Sequence, residues 1–376
     1  MANYIDLVPE RIRALGAYVP GKPISQVEAE SGVKAVKLAS NENPFGPSPL
    51  ALAAAHNAAA EVNLYPDIAA TPLRRKLAQE YGLVPENVVV TGGSTPLLEM
   101  IARTLTGPGL NVISSERTFM IYALATHAND AEYRSVPMKN DHFDLNAIAD
   151  AVDANTRIVY IANPNNPTGT IVTASEMDRF LDRLPDHVIV VLDEAYYEFA
   201  QHFAGERGVE FSHSIEYVKQ GRNVVVLRTF SKIYGLAALR VGYGFGPAEL
   251  MDYVGRLRTP FMVTSVGEAA AMAAMDDTAH RDLTVRNNAE QSRWLMKELH
   301  ALGYEPVETW ANFIYCETGE DSAALGRRLE HEGVIIRPLT GGWGAPTAIR
   351  VTIGKPEENE RFIKALKKVA AGVAVR

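Results

Sequence analysis

The chain has 376 residues, of which 47% are hydrophobic and 22% charged, and a formal net charge of −8. This is the balance of an ordinary globular protein and excludes disordered, collagen-like and coiled-coil classes. The excess of acid, with no long basic run, also argues against a nucleic-acid-binding surface, which needs clustered Lys and Arg to displace counterions.

No apolar run approaches the roughly 20 residues needed to span a bilayer. The stretch from Met1 to Arg13 carries Asp6, Glu10, Arg11 and Arg13 and lacks an uninterrupted apolar signal core. A cytoplasmic protein without membrane contact is expected. The single cysteine, Cys316, excludes an intrachain disulfide framework and a Cys-rich zinc site. The nine histidines form no His-Glu-x-x-His pair, so no metal is expected in the mechanism.

Along the chain, Pro9, Pro20, Pro23, Pro44, Pro47 and Pro49 keep the leading segment extended or turning. The Ala-rich stretch 51–60 reads as a helix. From Asn41 to about Leu250, short β-branched runs alternate with helical spacing. The runs are Val88-Val-Val90, Leu110-Asn-Val-Ile113, Ile158-Val-Tyr-Ile-Ala162, Val188-Ile-Val-Val-Leu192, Val224-Val-Val-Leu227 and Val241-Gly-Tyr-Gly244. Between them, Pro96–Thr104 and Ser175–Leu184 read as helices, the second capped by Thr173 or Ser175. Such alternation predicts an α/β fold with a mostly parallel sheet covered on both faces, and ligands bind beyond the carboxyl ends of such strands. After Pro260 the pattern changes. Helices are expected over Ser265–Met275, Arg286–Leu302 and Glu357–Val369, and strands over Phe313–Cys316, Gly333–Arg337 and Ala348–Ile353. These belong to a smaller α+β domain. The expected division is a large domain over 41–264 and a small one made of 1–40 with 265–376.

Four motifs stand just past strands. Thr91-Gly-Gly-Ser-Thr-Pro96 offers close backbone approach at Gly92 and Gly93, and free helix-start amides at Ser94 and Thr95 suited to an anion. A plain capped turn would have the same sequence. Asn163-Pro-Asn-Asn-Pro-Thr-Gly169 can fix an Asn amide in space, or simply make a turn. Asp193 ends an apolar strand, where it either caps the next helix or meets a cation. Arg228-Thr-Phe-Ser-Lys-Ile-Tyr-Gly-Leu-Ala-Ala-Leu-Arg240 surrounds Lys232 with Thr229, Ser231 and Arg240, groups suited to a phosphate. A lysine becomes a nucleophile when burial or nearby positive charge deprotonates it. The decoy Gly242-Tyr-Gly-Phe-Gly246 lacks the third fingerprint glycine of a dinucleotide site, because Pro247 stands there.

Taken in this order, and with Asn-Glu-Asn-Pro at 41–44 and Asn63-Leu-Tyr-Pro66, the motifs resemble those of fold-type I pyridoxal-phosphate aminotransferases over nearly the whole chain. Tyr18-Val-Pro-Gly-Lys-Pro-Ile24 and Ile349-Arg-Val-Thr-Ile-Gly354 narrow the resemblance to the histidinol-phosphate aminotransferase branch. That resemblance implies pyridoxal 5'-phosphate as cofactor and Lys232 as its covalent anchor and proton shuttle. It implies Asp193 at the pyridine nitrogen, with Asn166 and Tyr196 at the phenolic oxygen. The phosphate is expected on Gly93, Ser94, Thr95, Thr229, Ser231 and Arg240, with Tyr65 reaching over from the second chain of a homodimer. Phe119 takes the place of the aromatic ring stacked on the cofactor, while Arg117 stands where relatives often have proline.

For the substrate, the resemblance implies Tyr18, Asn166, Arg337 and Arg350. Arg350 would hold a carboxylate and Arg337 a second anion, although either arginine could instead make a surface ion pair. The implied reaction is ping-pong amino transfer between L-histidinol phosphate and 2-oxoglutarate. The alternatives are an aromatic amino-acid aminotransferase on the same scaffold, a related decarboxylase, and a non-catalytic cofactor-binding protein.

Overall fold

Seven short strands, nearly all apolar, form the central sheet of the computed structural model, which describes residues 3–16 and 21–371. They are β1 (Val88–Thr91), β2 (Asn111–Ser115), β3 (Glu132–Val136), β4 (Thr156–Ala162), β5 (Ile189–Asp193), β6 (Val224–Thr229) and β7 (Gly242–Phe245). Their order is β1-β7-β6-β5-β4-β2-β3. β7 runs antiparallel to both neighbours, and the remaining pairs are parallel. Helices cover both faces, so β6 buries every residue and β5 all but Ile189 at its start, as their Val-rich runs require. The outer strand β3 exposes Glu132 and Ser135. Its sequence, Glu-Tyr-Arg-Ser-Val, is too polar to read as a strand, and pairing with β2 along a sheet edge is what makes it one.

Because β7 is reversed, β1, β4, β5 and β6 end at the same rim of the sheet. At that rim Gly242 lies in register with Thr91 on one side and Thr229 on the other. The loops that leave Thr91, Ala162, Asp193 and Thr229 are the four motif segments, which the sheet therefore brings to one place.

A second sheet carries the C-terminal part: β8 (Glu305–Pro306), β9 (Phe313–Glu317), β10 (Arg337–Pro338) and β11 (Ala348–Thr352), ordered β10-β11-β9-β8 and antiparallel throughout. Its buried face packs Ile314, Val351 and Ile349 against Leu295, Leu325, Leu329, Phe362 and Leu366 of three helices, Thr278–Ala301, Ser322–His331 and Pro356–Ala371. The leading segment joins this layer through a two-stranded parallel pair, Val36–Lys37 with Val334–Ile335.

Two sequence expectations change here. The run Gly333–Arg337 is not one strand: Val334–Ile335 pairs with the leading segment and Arg337–Pro338 with β11, because each half meets a different partner. The helix expected from Arg286 begins at Thr278, where the Asp277 side chain accepts from the His280 amide at 3.1 Å and caps it. The capped helix after the Asn-Pro segment covers Ala174–Leu181, with Thr173 as its N-cap and Glu176 completing a capping box. No described helix is long and apolar enough to cross a membrane.

Candidate active site

At the shared rim lies a cavity of about 530 Å3 lined by residues of both sheets. One end is built for an anion. The helix Ser94–Leu105 opens directly beyond β1, so the amides of its first turn have no intrahelical partner. Gly93, at φ 103°, holds a backbone that favours glycine, and any side-chain carbon there would strike the Arg240 guanidinium. A side chain at Gly242 would collide with the Ser94 nitrogen. Around this bare helix start stand Thr229 and Ser231, whose hydroxyls are 3.0 Å apart, and Arg240, which donates to Ser231 Oγ at 3.4 Å. Two hydroxyls, unpaired helix amides and a guanidinium are the donor set of a phosphate site.

The other end offers a carboxylate. Asp193 closes β5, and its side chain is buried. Tyr122 Oη donates to Asp193 Oδ2 at 2.9 Å, and the Ala195 amide donates to Oδ1 at 3.3 Å. Burial pushes the Asp193 pKa up to about 6 against the pull of these two donors. A cation in the cavity would reverse that penalty. Tyr122 itself stacks on Tyr160 with ring centres 4.6 Å apart and meets Phe119 edge-on at 5.7 Å, so the ring expected over the cofactor is braced from behind.

Between the two ends, Lys232 Nζ donates to the Ser40 carbonyl at 3.0 Å. Burial and the guanidiniums of Arg350 and Arg240 bring its pKa down to about 8, so a substantial fraction of the amine is neutral near physiological pH. Tyr196 Oη accepts from Asn41 Nδ2 at 2.9 Å, and Asn41 is itself locked by Thr352 and Asn312. The Asn163–Pro164 and Asn166–Pro167 bonds are both cis. Asn166 Oδ1 accepts from Arg350, which also donates to the Ala39 carbonyl at 2.8 Å. Arg117 adopts φ 47° and pairs with Asp141 at 2.8 Å, while its carbonyl accepts from Asn165. A proline, fixed near −65°, could not take that conformation, so the loop before Phe119 differs from one built on proline.

Ser94, Thr95, Phe119, Asn166, Asp193, Tyr196, Thr229, Ser231, Lys232, Arg240 and Arg350 thus line one cavity. Gly93 lies behind it. Arg337 borders an adjacent cavity that shares Trp343 with the first. Tyr65 lies elsewhere, 83% exposed and stacked on Phe261. Tyr18 lies outside the described residues. Tyr122, Asn41 and Trp343 also line the cavity and were not among the expected site residues. Asn41 sits in the quoted Asn-Glu-Asn-Pro motif, which was its only signal. The donor set, the buried carboxylate and the amine fit pyridoxal phosphate: an anion cradle at one end, a counter-ion for a protonated ring nitrogen at the other, and a nucleophilic lysine between.

The family model for aminotransferase class I and II matches residues 33–366. Histidinol-phosphate aminotransferase 2 of Pseudomonas aeruginosa is 42% identical over 374 residues, covering 99% of this chain and 100% of that one. Histidinol-phosphate aminotransferase of Anaeromyxobacter sp. is 44% identical, covering 97% of this chain and 99% of that one. The crystal structure of histidinol-phosphate aminotransferase from Sinorhizobium meliloti in complex with pyridoxal-5'-phosphate superimposes with a TM-score of 0.88 at 27% identity, over 97% of this chain and 98% of that one. The chain belongs to the class I and II aminotransferases, with the fold of the pyridoxal-phosphate enzymes of fold type I.

Proposed function

We propose that this chain uses pyridoxal 5'-phosphate to move the amino group of L-histidinol phosphate to 2-oxoglutarate, in two ping-pong halves. The observation that carries the substrate reading is the pair of buried arginines, Arg337 and Arg350, opposite each other in register beside the Lys232 cavity. Histidinol phosphate has a phosphate and no α-carboxylate, whereas glutamate has two carboxylates. A site that takes both needs fixed cations that tolerate tetrahedral and planar anions alike.

The bound cofactor supplies an electron sink for the pair released when the substrate's Cα–H bond breaks. The chain's own residues do the rest. The amides of Ser94 and Thr95, with Thr229, Ser231 and Arg240, hold the phosphate. Asp193 keeps a proton on the ring nitrogen by opposing it with a carboxylate, and Tyr122 fixes which way that carboxylate faces. Asn166 and Tyr196 donate to the phenolic oxygen. Phe119 covers one face of the ring and excludes water. Lys232 Nζ, neutral once displaced by substrate, would take the proton from Cα and return it to the cofactor carbon on the far side of the amino nitrogen.

In this reading residues 41–264 bind the cofactor, while 1–40 and 265–376 close over the substrate. The helix Ser265–Asp276 packs with the cofactor-binding part: it lies against the helices Pro49–Ala58 and Thr71–Tyr81 and buries Ala270, Ala271 and Ala274 in the core of the central sheet. The working unit is a cytoplasmic homodimer. Tyr65 is too exposed to serve its own cavity and, with exposed Val62, Leu64 and Ile68 beside it, is suited to complete the phosphate site of a second copy.

Absorbance tests the reaction. The purified, cofactor-loaded protein should be yellow, bleach on adding L-histidinol phosphate and recover its colour with 2-oxoglutarate. A yellow protein that no amino donor bleaches would instead be a non-catalytic cofactor binder.

A further inference from the structure

Arg337 and Arg350 are direct cross-strand partners, and the residues are only 9% and 5% exposed. Like charges directly opposite one another on a sheet repel, and burial raises the cost of each. The ring of Trp343 meets both. The guanidinium carbons of Arg337 and Arg350 lie 5.6 and 5.5 Å from the ring centre of Trp343, inside the roughly 6 Å reach of a cation–π contact. Trp343 is 4% exposed and backed by Tyr315, Leu339, Phe119 and Met120. Its indole N–H is buried without a partner among the described residues, so the ring is held by its faces and not by its polar edge. It forms the wall common to the Lys232 cavity and the adjoining cavity bordered by Arg337.

We propose that Trp343 is a specificity-determining positioning residue. Its aromatic faces hold the two guanidiniums as a preset pair, and that pairing selects substrates with anionic groups over neutral ones. The inference rests on the reading of Arg337 and Arg350 as the substrate's anion sites. A leucine at this position would fill much of the space but present no π-face. A phenylalanine would keep a π-face, smaller by one ring, and lose the orphaned N–H.

The test uses cofactor-loaded protein and succinate, an unreactive dicarboxylate, with affinity measured by calorimetry. Trp343→Leu should bind succinate about tenfold more weakly. It should raise KM for 2-oxoglutarate by a similar factor, with kcat changed less than threefold. Trp343→Phe should restore both to within about threefold of wild type. Should the leucine variant fail to fold, replacing all three tryptophans with 5-fluorotryptophan weakens the ring's negative face with little change of shape. Labelling should then weaken succinate binding in wild type and have no effect in Trp343→Phe. Equal losses in Trp343→Phe and Trp343→Leu, unchanged affinity in Trp343→Leu, or a labelling effect that persists in Trp343→Phe would overturn the proposal. If Arg337→Ala and Arg350→Ala also leave succinate affinity intact, the reading of the arginines falls with it. If those two lose affinity and Trp343→Leu does not, only the role of Trp343 is lost.

Discussion

Lys232 is poised because three influences act on one amine: a low-dielectric wall, and the charges of Arg350 and Arg240. Only the neutral amine can attack the cofactor's aldehyde. With its pKa brought down to about 8, covalent uptake of pyridoxal phosphate by the cofactor-free protein should speed up as pH rises towards 8 and level off above it. Stopped-flow absorbance checks this, and Lys232→Ala should show no covalent phase and no turnover. Asp193 works in the opposite sense. Buried, with its pKa raised to about 6, it is paired once a cation faces it. Asp193→Asn should keep the fold and slow the half-reaction by several orders of magnitude, since each unit lost from the ring nitrogen's pKa is about 1.4 kcal/mol. Single-turnover bleaching measures it. Both residues are legible in the sequence because each sits at a fixed distance inside a motif. Tyr122 and Trp343 are not. An aromatic residue in a helix or a Gly-rich turn reads as core, and only the folded chain shows one donating to Asp193 and the other lying against two arginines.

The strands that place these residues were legible where burial on both faces writes an unbroken apolar run, as in β5 and β6. Legibility failed where tertiary partners decide. β3 is a strand because β2 offers it an edge, and residues 333–338 split between two sheets because two different partners flank Ile336. The close approach of β7 to the helix start is likewise invisible until the sheet order is known. It yields a sharp expectation. Gly242→Ala puts a carbon against the Ser94 nitrogen and Gly93, so the variant should fold yet bind pyridoxal phosphate markedly more weakly, by at least tenfold in an absorbance titration. Cofactor affinity equal to wild type would mean that the helix start moves aside and is not the phosphate cradle.

At the scale of the whole molecule, one chain leaves Tyr65 outside the site it is expected to serve. Mixing Lys232→Ala chains with Tyr65→Asp chains, each inactive alone, should restore activity as subunits exchange, because a hybrid contains one site with both native residues. A fully active monomer in sedimentation would refute the shared site.

The arginine pair connects this assembly to its substrate, and Arg337 separates the two candidate donors. A charge-assisted hydrogen bond contributes roughly 1.5–3 kcal/mol, so Arg337→Ala should lower kcat/KM for L-histidinol phosphate about ten- to a hundred-fold. Phenylalanine, with no anion at that end, should lose far less. The decisive measurement is therefore the ratio of kcat/KM for histidinol phosphate over phenylalanine, in wild type and in Arg337→Ala. A ratio well above one that collapses in the variant is the expected result; a wild-type ratio below one, or equal losses for both donors, would contradict the histidinol-phosphate reading and put the aromatic aminotransferase in its place.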